Sequence, residues 1–81
     1  MYLLAIKSHS MGKITITLNG NKTSITPKST IETLLRELKL NQDLIIVELN
    51  QNICSKNTFK TTMIKENDVI EIIRYIGGGK N

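Results

Sequence analysis

Cysteine is almost missing from this chain: Cys54 stands alone. A single thiol makes no internal disulfide and cannot build a multi-cysteine zinc site, which suits a reducing compartment. Tryptophan is absent, and Tyr2, Phe59 and Tyr75 are the only aromatic residues. The core must therefore come from Ile, Leu and Val. No hydrophobic run is long enough to cross a bilayer. The opening apolar stretch, Met1 to Ile6, is short and lacks a basic flank, which argues against a signal peptide. Lys and Arg outnumber Asp and Glu, giving a net charge of +4, yet no two basic residues adjoin. A nucleic-acid reader clusters its basic residues and interleaves aromatics. Scattered basicity instead fits solubility, or an acidic patch on a protein partner. Neither nucleic acid nor membrane is expected as a partner.

What is present suffices for one small domain. The 81 residues, 40% of them apolar, lie near the lower size limit for a fold without staples. Residues 1–10 break the pattern of the remainder. Lys7-Ser8-His9-Ser10 is polar, and Met11-Gly12-Lys13 reads as a fresh beginning. We read residues 1–10 as an N-terminal appendage or alternative-start leader; the competing reading makes Leu3–Ile6 an edge strand. His9 has no Cys, Asp or Glu near it in sequence and reads as a solvated loop residue. The domain is then 11–76, followed by a flexible glycine-rich tail at 77–81.

Within the domain the periodicity is explicit. Ile14-Thr15-Ile16-Thr17-Leu18 alternates apolar and polar, a half-buried strand. Asn19-Gly20 is a hairpin signal, Lys22 to Thr26 returns, and Pro27 closes the strand. A helix is expected over about 29–40. Ser29 and Glu32 are spaced as a capping box, and Ile31, Leu34, Leu35 and Leu38 share one face. That stripe reads as core, with a dimer seam as the alternative. Asn41 suits a left-handed C-terminal position. Leu44 to Leu49 is continuously apolar except for Glu48, as for a strand covered on both faces or central in a sheet. Asn50-Gln51-Asn52 reads as a turn, Ile53-Cys54 as a short strand, and Phe59 as a loop residue tucked on the core. Lys65 to Asp68 is a tight turn before a last strand, Val69 to Tyr75. In that strand Ile70 and Ile72 face the core, and Glu71, Ile73 and Tyr75 face outward. A hairpin, one helix laid across the sheet and a final strand parallel to the first make an α+β β-grasp with a mixed four- to five-stranded sheet.

The end of the chain organises the functional reading. Gly77-Gly78-Gly79 follows directly on a β-branched strand. Glycine has no Cβ, so such a tail passes where other residues clash. Three extended residues reach roughly 10 Å beyond the domain. Cys54 has only Lys56 nearby to lower its thiol pKa and reads as a small buried hydrophobe. The chain shows no metal-ligand pattern.

Three stretches carry a family resemblance: Ile14-Thr15-Ile16-Thr17-Leu18-Asn19-Gly20, Val47-Glu48-Leu49-Asn50, and Asn67-Asp68-Val69 through Arg74-Tyr75-Ile76-Gly77-Gly78-Gly79. The last is the most specific. The chain resembles the ubiquitin-like sulfur carriers of bacteria and plastids, and within them the ThiS family of thiamine biosynthesis. Small subunits of molybdopterin synthase share the fold and a Gly-Gly end, but usually place a proline pair where Arg74-Tyr75 stands here.

The resemblance implies a co-substrate and not an enzyme. A ThiF-like adenylating enzyme would activate the Gly79 carboxylate with ATP. Sulfur from a donor such as cysteine desulfurase would convert it to a thiocarboxylate, and a ThiG-like thiazole synthase would receive that sulfur. No cofactor is bound; ATP is consumed by the partner. Gly77, Gly78 and Gly79 would enter the partner's active site, with Ile73, Arg74, Tyr75 and Ile76 as interface. A monomer in the cytoplasm or plastid stroma is expected. The sequence departs from the family pattern at Lys80-Asn81, which follow the glycines. A processing peptidase that exposes Gly79 is the first reading. The alternatives are a carrier for molybdopterin or for cysteine or homocysteine synthesis, and a β-grasp interaction module that carries no sulfur.

Overall fold

The computed structural model describes residues 12–74. The chain begins with a hairpin, β1 (Ile14–Leu18) and β2 (Asn21–Ile25), paired from Ile14↔Ile25 to Leu18↔Asn21. Asn19 and Gly20 make the two-residue turn with φ of 49° and 85°. Two positive φ values give the turn whose twist matches that of the strands it joins. A Cβ on Gly20 would meet nothing within 4 Å, so glycine serves the backbone conformation there and not close packing.

The helix, α1, runs Ile31–Glu37 and is shorter than the expected 29–40. Its capping box lies one residue later than expected. Thr30 is the N-cap, accepting from the Thr33 N–H, while the Thr33 hydroxyl oxygen accepts from the Thr30 N–H. The physical reason is tertiary. Thr30 forms an isolated β-bridge with Met63, the Ile64 N–H donates to the Ser29 carbonyl (2.8 Å), and the Ile31 N–H donates to the Thr62 carbonyl (3.0 Å). The backbone before Ile31 is thus committed to an extended pairing. The Ser29 hydroxyl donates to the Thr26 carbonyl at 2.6 Å, and Glu32 turns to Arg36 at 3.8 Å.

The other helix end also differs from expectation. Lys39, not Asn41, takes the left-handed conformation, with φ 61°. The Leu40 N–H donates to the Leu35 carbonyl and the Lys39 N–H to the Arg36 carbonyl, each at 3.0 Å, the paired bonds of a Schellman ending. Asn41 instead caps a 3₁₀ turn, Gln42–Leu44, by accepting from the Asp43 N–H. Ile31, Leu34 and Leu35 are buried as a core stripe. Leu38 is the C-cap, one position past the last full turn, and is 41% exposed.

The remaining strands are β3 (Ile45–Leu49), β4 (Asn52–Cys54) and β5 (Val69–Arg74). The order across the sheet is β2-β1-β5-β3-β4. β5 is central, parallel to β1 and antiparallel to β3. A five-stranded mixed sheet with one helix is the expected α+β β-grasp. β3 lies inside the sheet, but only one face is covered: Ile45 and Val47 are buried, while Ile46 is exposed. Of the two alternatives expected for this run, the strand inside the sheet holds and the strand covered on both faces does not, because the one α-helix among the described residues packs on one face. Ile16, Ile31, Leu35, Val47, Ile64 and Ile70 are almost wholly excluded from solvent, and Phe59 joins them from its loop.

Candidate functional site

Arg74, the last described residue, closes the central strand, so the chain leaves the domain from the middle of the sheet. Tyr75, Ile76 and the tail residues Gly77, Gly78 and Gly79 lie outside the described residues, as do the 1–10 appendage and His9.

β5 is held unequally along its two edges. On the β3 side pairing continues to the end, with Ile45↔Arg74. On the β1 side the backbone pairing stops at Leu18↔Ile70, because β1 turns away into its hairpin. The side chain of Asn19 takes over there. Its Oδ1 accepts from the Ile72 N–H at 2.7 Å and its Nδ2 donates to the Ile72 carbonyl at 3.3 Å. At the other end of β5, Asn50 does comparable work. Its N–H donates to the Val69 carbonyl (2.7 Å), its Oδ1 accepts from the Val69 N–H (2.8 Å), and its Nδ2 donates to Asp68 Oδ1 (3.1 Å). Both asparagines sit in two-residue turns at positive φ. Sequence reasoning read them as turn residues only. Nothing local shows which strand a turn side chain will reach.

The two sides of the exit differ in chemistry. Ile72 and Arg74 share the helix-side face, and with Leu18, Leu38, Leu40 and Ile45 they line a cleft of about 530 Å³. Ile73 faces the open side of the sheet, opposite Ile46, and both are exposed. Ile73 thus points as the strand alternation requires, and Arg74 lies on the other face near the strand's end.

Among the described residues no three His, Cys, Asp or Glu side chains group as metal ligands. Cys54 is half-buried, with its Sγ 3.6 Å from Thr58 Oγ1 and 3.9 Å from Thr62 Oγ1, and packs against the core as a small apolar side chain. Among the described residues no helix is long and apolar enough to cross a membrane.

The model of the family described as "ThiS family" matches residues 16–79, ending on Gly79. The sulfur carrier protein ThiS of Bacillus subtilis is 38% identical over 50 residues, covering 62% of this chain and 76% of that protein. An uncharacterized protein, ycf40, of Trieres chinensis is 35% identical over 65 residues, covering 80% of this chain and 89% of that one. The crystal structure of a thiamine biosynthesis protein (ThiS) from Geobacter metallireducens superposes with a TM-score of 0.71 at 29% identity, covering 82% of this chain and all of that one. The chain also matches thiazole synthases of Paramagnetospirillum magneticum and Magnetococcus marinus, spanning 20% of the length of each.

Proposed function

The chain belongs to the ThiS family, a family of small sulfur carriers in thiamine biosynthesis, and from that membership we propose that Gly79 is the residue that carries the sulfur. As a member of that family it is a carrier and not a catalyst. The observation that supports Gly79 is the family match that runs to Gly79, five residues after the end of the central strand at Arg74.

The chemistry requires a free carboxylate on Gly79. A partner adenylating enzyme, ThiF-like, joins that carboxylate to the α-phosphate of ATP and releases pyrophosphate. The terminal sulfur of a persulfide, charged by a donor such as cysteine desulfurase, attacks the carbonyl carbon and expels AMP. A thiol then reduces the sulfur–sulfur bond, leaving the thiocarboxylate. Thiazole synthase takes this sulfur into the thiazole ring. Glycine at 77, 78 and 79 lets the carbonyl carbon approach a buried active site without a Cβ clash. Ile73, Arg74, Tyr75 and Ile76 form the surface the partners grip as the tail enters. A peptidase removes the residues beyond Gly79, because an internal Gly79 has a peptide carbonyl and nothing to adenylate. The reducing cytoplasm or plastid stroma suits both the free Cys54 thiol and the thiocarboxylate.

The test is the intact mass of the protein from its native cells. A species ending at Gly79, with a fraction heavier by one oxygen-to-sulfur exchange, is the expected result. Retention of Lys80 by all of the protein, even after incubation with ATP and the adenylating enzyme, overturns the proposal. In a chain ending at residue 79, Gly79→Ala is expected to abolish sulfur loading while leaving the melting temperature unchanged.

A further inference from the structure

Asn19 is the only asparagine in the sequence that is followed by glycine. Asparagine is among the thermally labile residues, because the backbone nitrogen of the next residue can attack its side-chain carbonyl carbon, Cγ. A glycine in that next position leaves the nitrogen unshielded. The fold keeps it so: Asn19 and Gly20 are both exposed, and a Cβ on Gly20 would meet nothing within 4 Å. Among the described residues the Gly20 N–H has no backbone acceptor. The amide of Asn19, in contrast, is held. Its Oδ1 accepts from the Ile72 N–H at 2.7 Å and its Nδ2 donates to the Ile72 carbonyl at 3.3 Å. The Asn19 N–H donates to the Ile70 carbonyl at 2.9 Å. Three bonds to β5 thus fix the backbone and side chain of Asn19 together. Closing a ring between Cγ and the Gly20 nitrogen needs rotations that these bonds oppose.

We propose that the Asn19-Gly20 turn is a site of spontaneous deamidation, gated by local opening of the contacts between Asn19 and Ile72 and not by unfolding of the whole domain. The Gly20 nitrogen bonds to Asn19 Cγ and gives up its proton. The Cγ–Nδ2 bond breaks, and Nδ2 leaves as ammonia with that proton. Water then opens the cyclic imide at either carbonyl, giving aspartate or isoaspartate at position 19. Water is the sole co-reactant, and nothing is oxidised or reduced.

Both products loosen the end of β5. In aspartate an oxygen replaces Nδ2. One carboxylate oxygen still accepts from the Ile72 N–H, while the other faces the Ile72 carbonyl with no proton between them. In isoaspartate the main chain runs through Cβ and Cγ, so the amide that gripped Ile72 becomes backbone. The turn also gains a backbone atom, which disturbs the two-residue connection from Leu18 to Asn21. Backbone pairing with β1 ends at Leu18↔Ile70, so β3 alone then holds Ile72. The reaction also adds a negative charge to the cleft that Asn19, Ile72 and Arg74 line. Asn50 is an internal control. It grips β5 through Val69 in the same manner, but Gln51 follows it and shields the attacking nitrogen.

The experiment incubates the full chain in mildly alkaline buffer, folded and in unfolding urea. Intact mass, which rises by one unit per event, gives the rate; peptide mapping with isoaspartyl methyltransferase gives the position and the isoaspartate share. In urea, modification at Asn19 and not at Asn50 is expected, and its absence overturns the site. In the folded chain the rate is expected to be at least tenfold lower; equal rates overturn the protection by Ile72. Phe59→Leu weakens the core from another segment and is expected to leave the folded-state rate within twofold of the parent's. A rise in proportion to the stability lost places the reaction in the unfolded chain and overturns the local gate. The purified product is expected to exchange the Ile72 amide at least tenfold faster, with Leu35 unchanged. Unchanged exchange at Ile72 overturns the loosening of β5.

Discussion

The side-chain amide of Asn19 stands in for a strand residue beside Ile72, exchanging one hydrogen bond in each direction with its backbone at 2.7 and 3.3 Å. It does so where β1 has already turned away, two residues past the last backbone pair of the parallel ladder, Leu18↔Ile70. Ile72, near the end of β5, is thereby held on both edges, by Asn19 on one side and by its pairing with Val47 on the other. Asn19→Gly keeps the positive φ without strain and deletes both bonds. At net values of about 0.5–1.5 kcal/mol per bond, lower at an exposed site, the expected loss is about 1 kcal/mol. Urea unfolding measures it. Faster amide exchange at Ile72, with Ile16 unchanged, separates a loosened exit from general destabilisation.

The capping residues are told apart by mutation. Thr30→Ala removes the acceptor for the Thr33 N–H and is expected to cost about 1 kcal/mol. Glu32→Gln disturbs only a long, partly exposed contact with Arg36 and is expected to cost less than about 0.5 kcal/mol. Denaturant midpoints that reverse this order would restore the Ser29–Glu32 box.

Lys39 holds a left-handed conformation at the helix end, φ 61°, where glycine is the usual occupant. Lys39→Gly relieves the Cβ strain but adds freedom to the unfolded chain. The balance is expected to stabilise the domain by about 0.5 kcal/mol. A fall in melting temperature would show that the Lys39 side chain contributes more than its backbone costs.

Ile70 is fully buried in the central strand. Ile70→Ala is expected to cost about 3 kcal/mol through lost burial and the cavity left behind. For a domain of this size that is a large share of a total stability on the order of 5 kcal/mol. Unfolding monitored by circular dichroism should show a sharply lowered midpoint, and a loss below about 1 kcal/mol would mean that the core collapses around the gap.

Much of the candidate site was legible in the order of residues. Alternation along Val69–Arg74 places Ile73 outward and Ile70 inward, as the strand has them. What was not legible depends on neighbours distant in sequence. Glu48 and Glu71 face each other only because β3 pairs with β5 in one register. A slip of one residue would turn Glu71 toward the helix.

The sequence by itself determined the local elements: the hairpin at Asn19-Gly20, the apolar helix stripe at Ile31, Leu34 and Leu35, and the strand alternation. Side-chain period and turn chemistry act over a few residues and need no partner. Tertiary structure decided where the helix begins, because the bridge between Thr30 and Met63 claims backbone that the capping pattern would have used. It decided that β3 is buried on one face, at Ile45 and Val47, and exposed at Ile46 on the other, since the one α-helix among the described residues packs on a single face. It also decided that Asn19 reaches Ile72, 53 positions away. Each of these is a contact between segments that only chain-wide packing brings together.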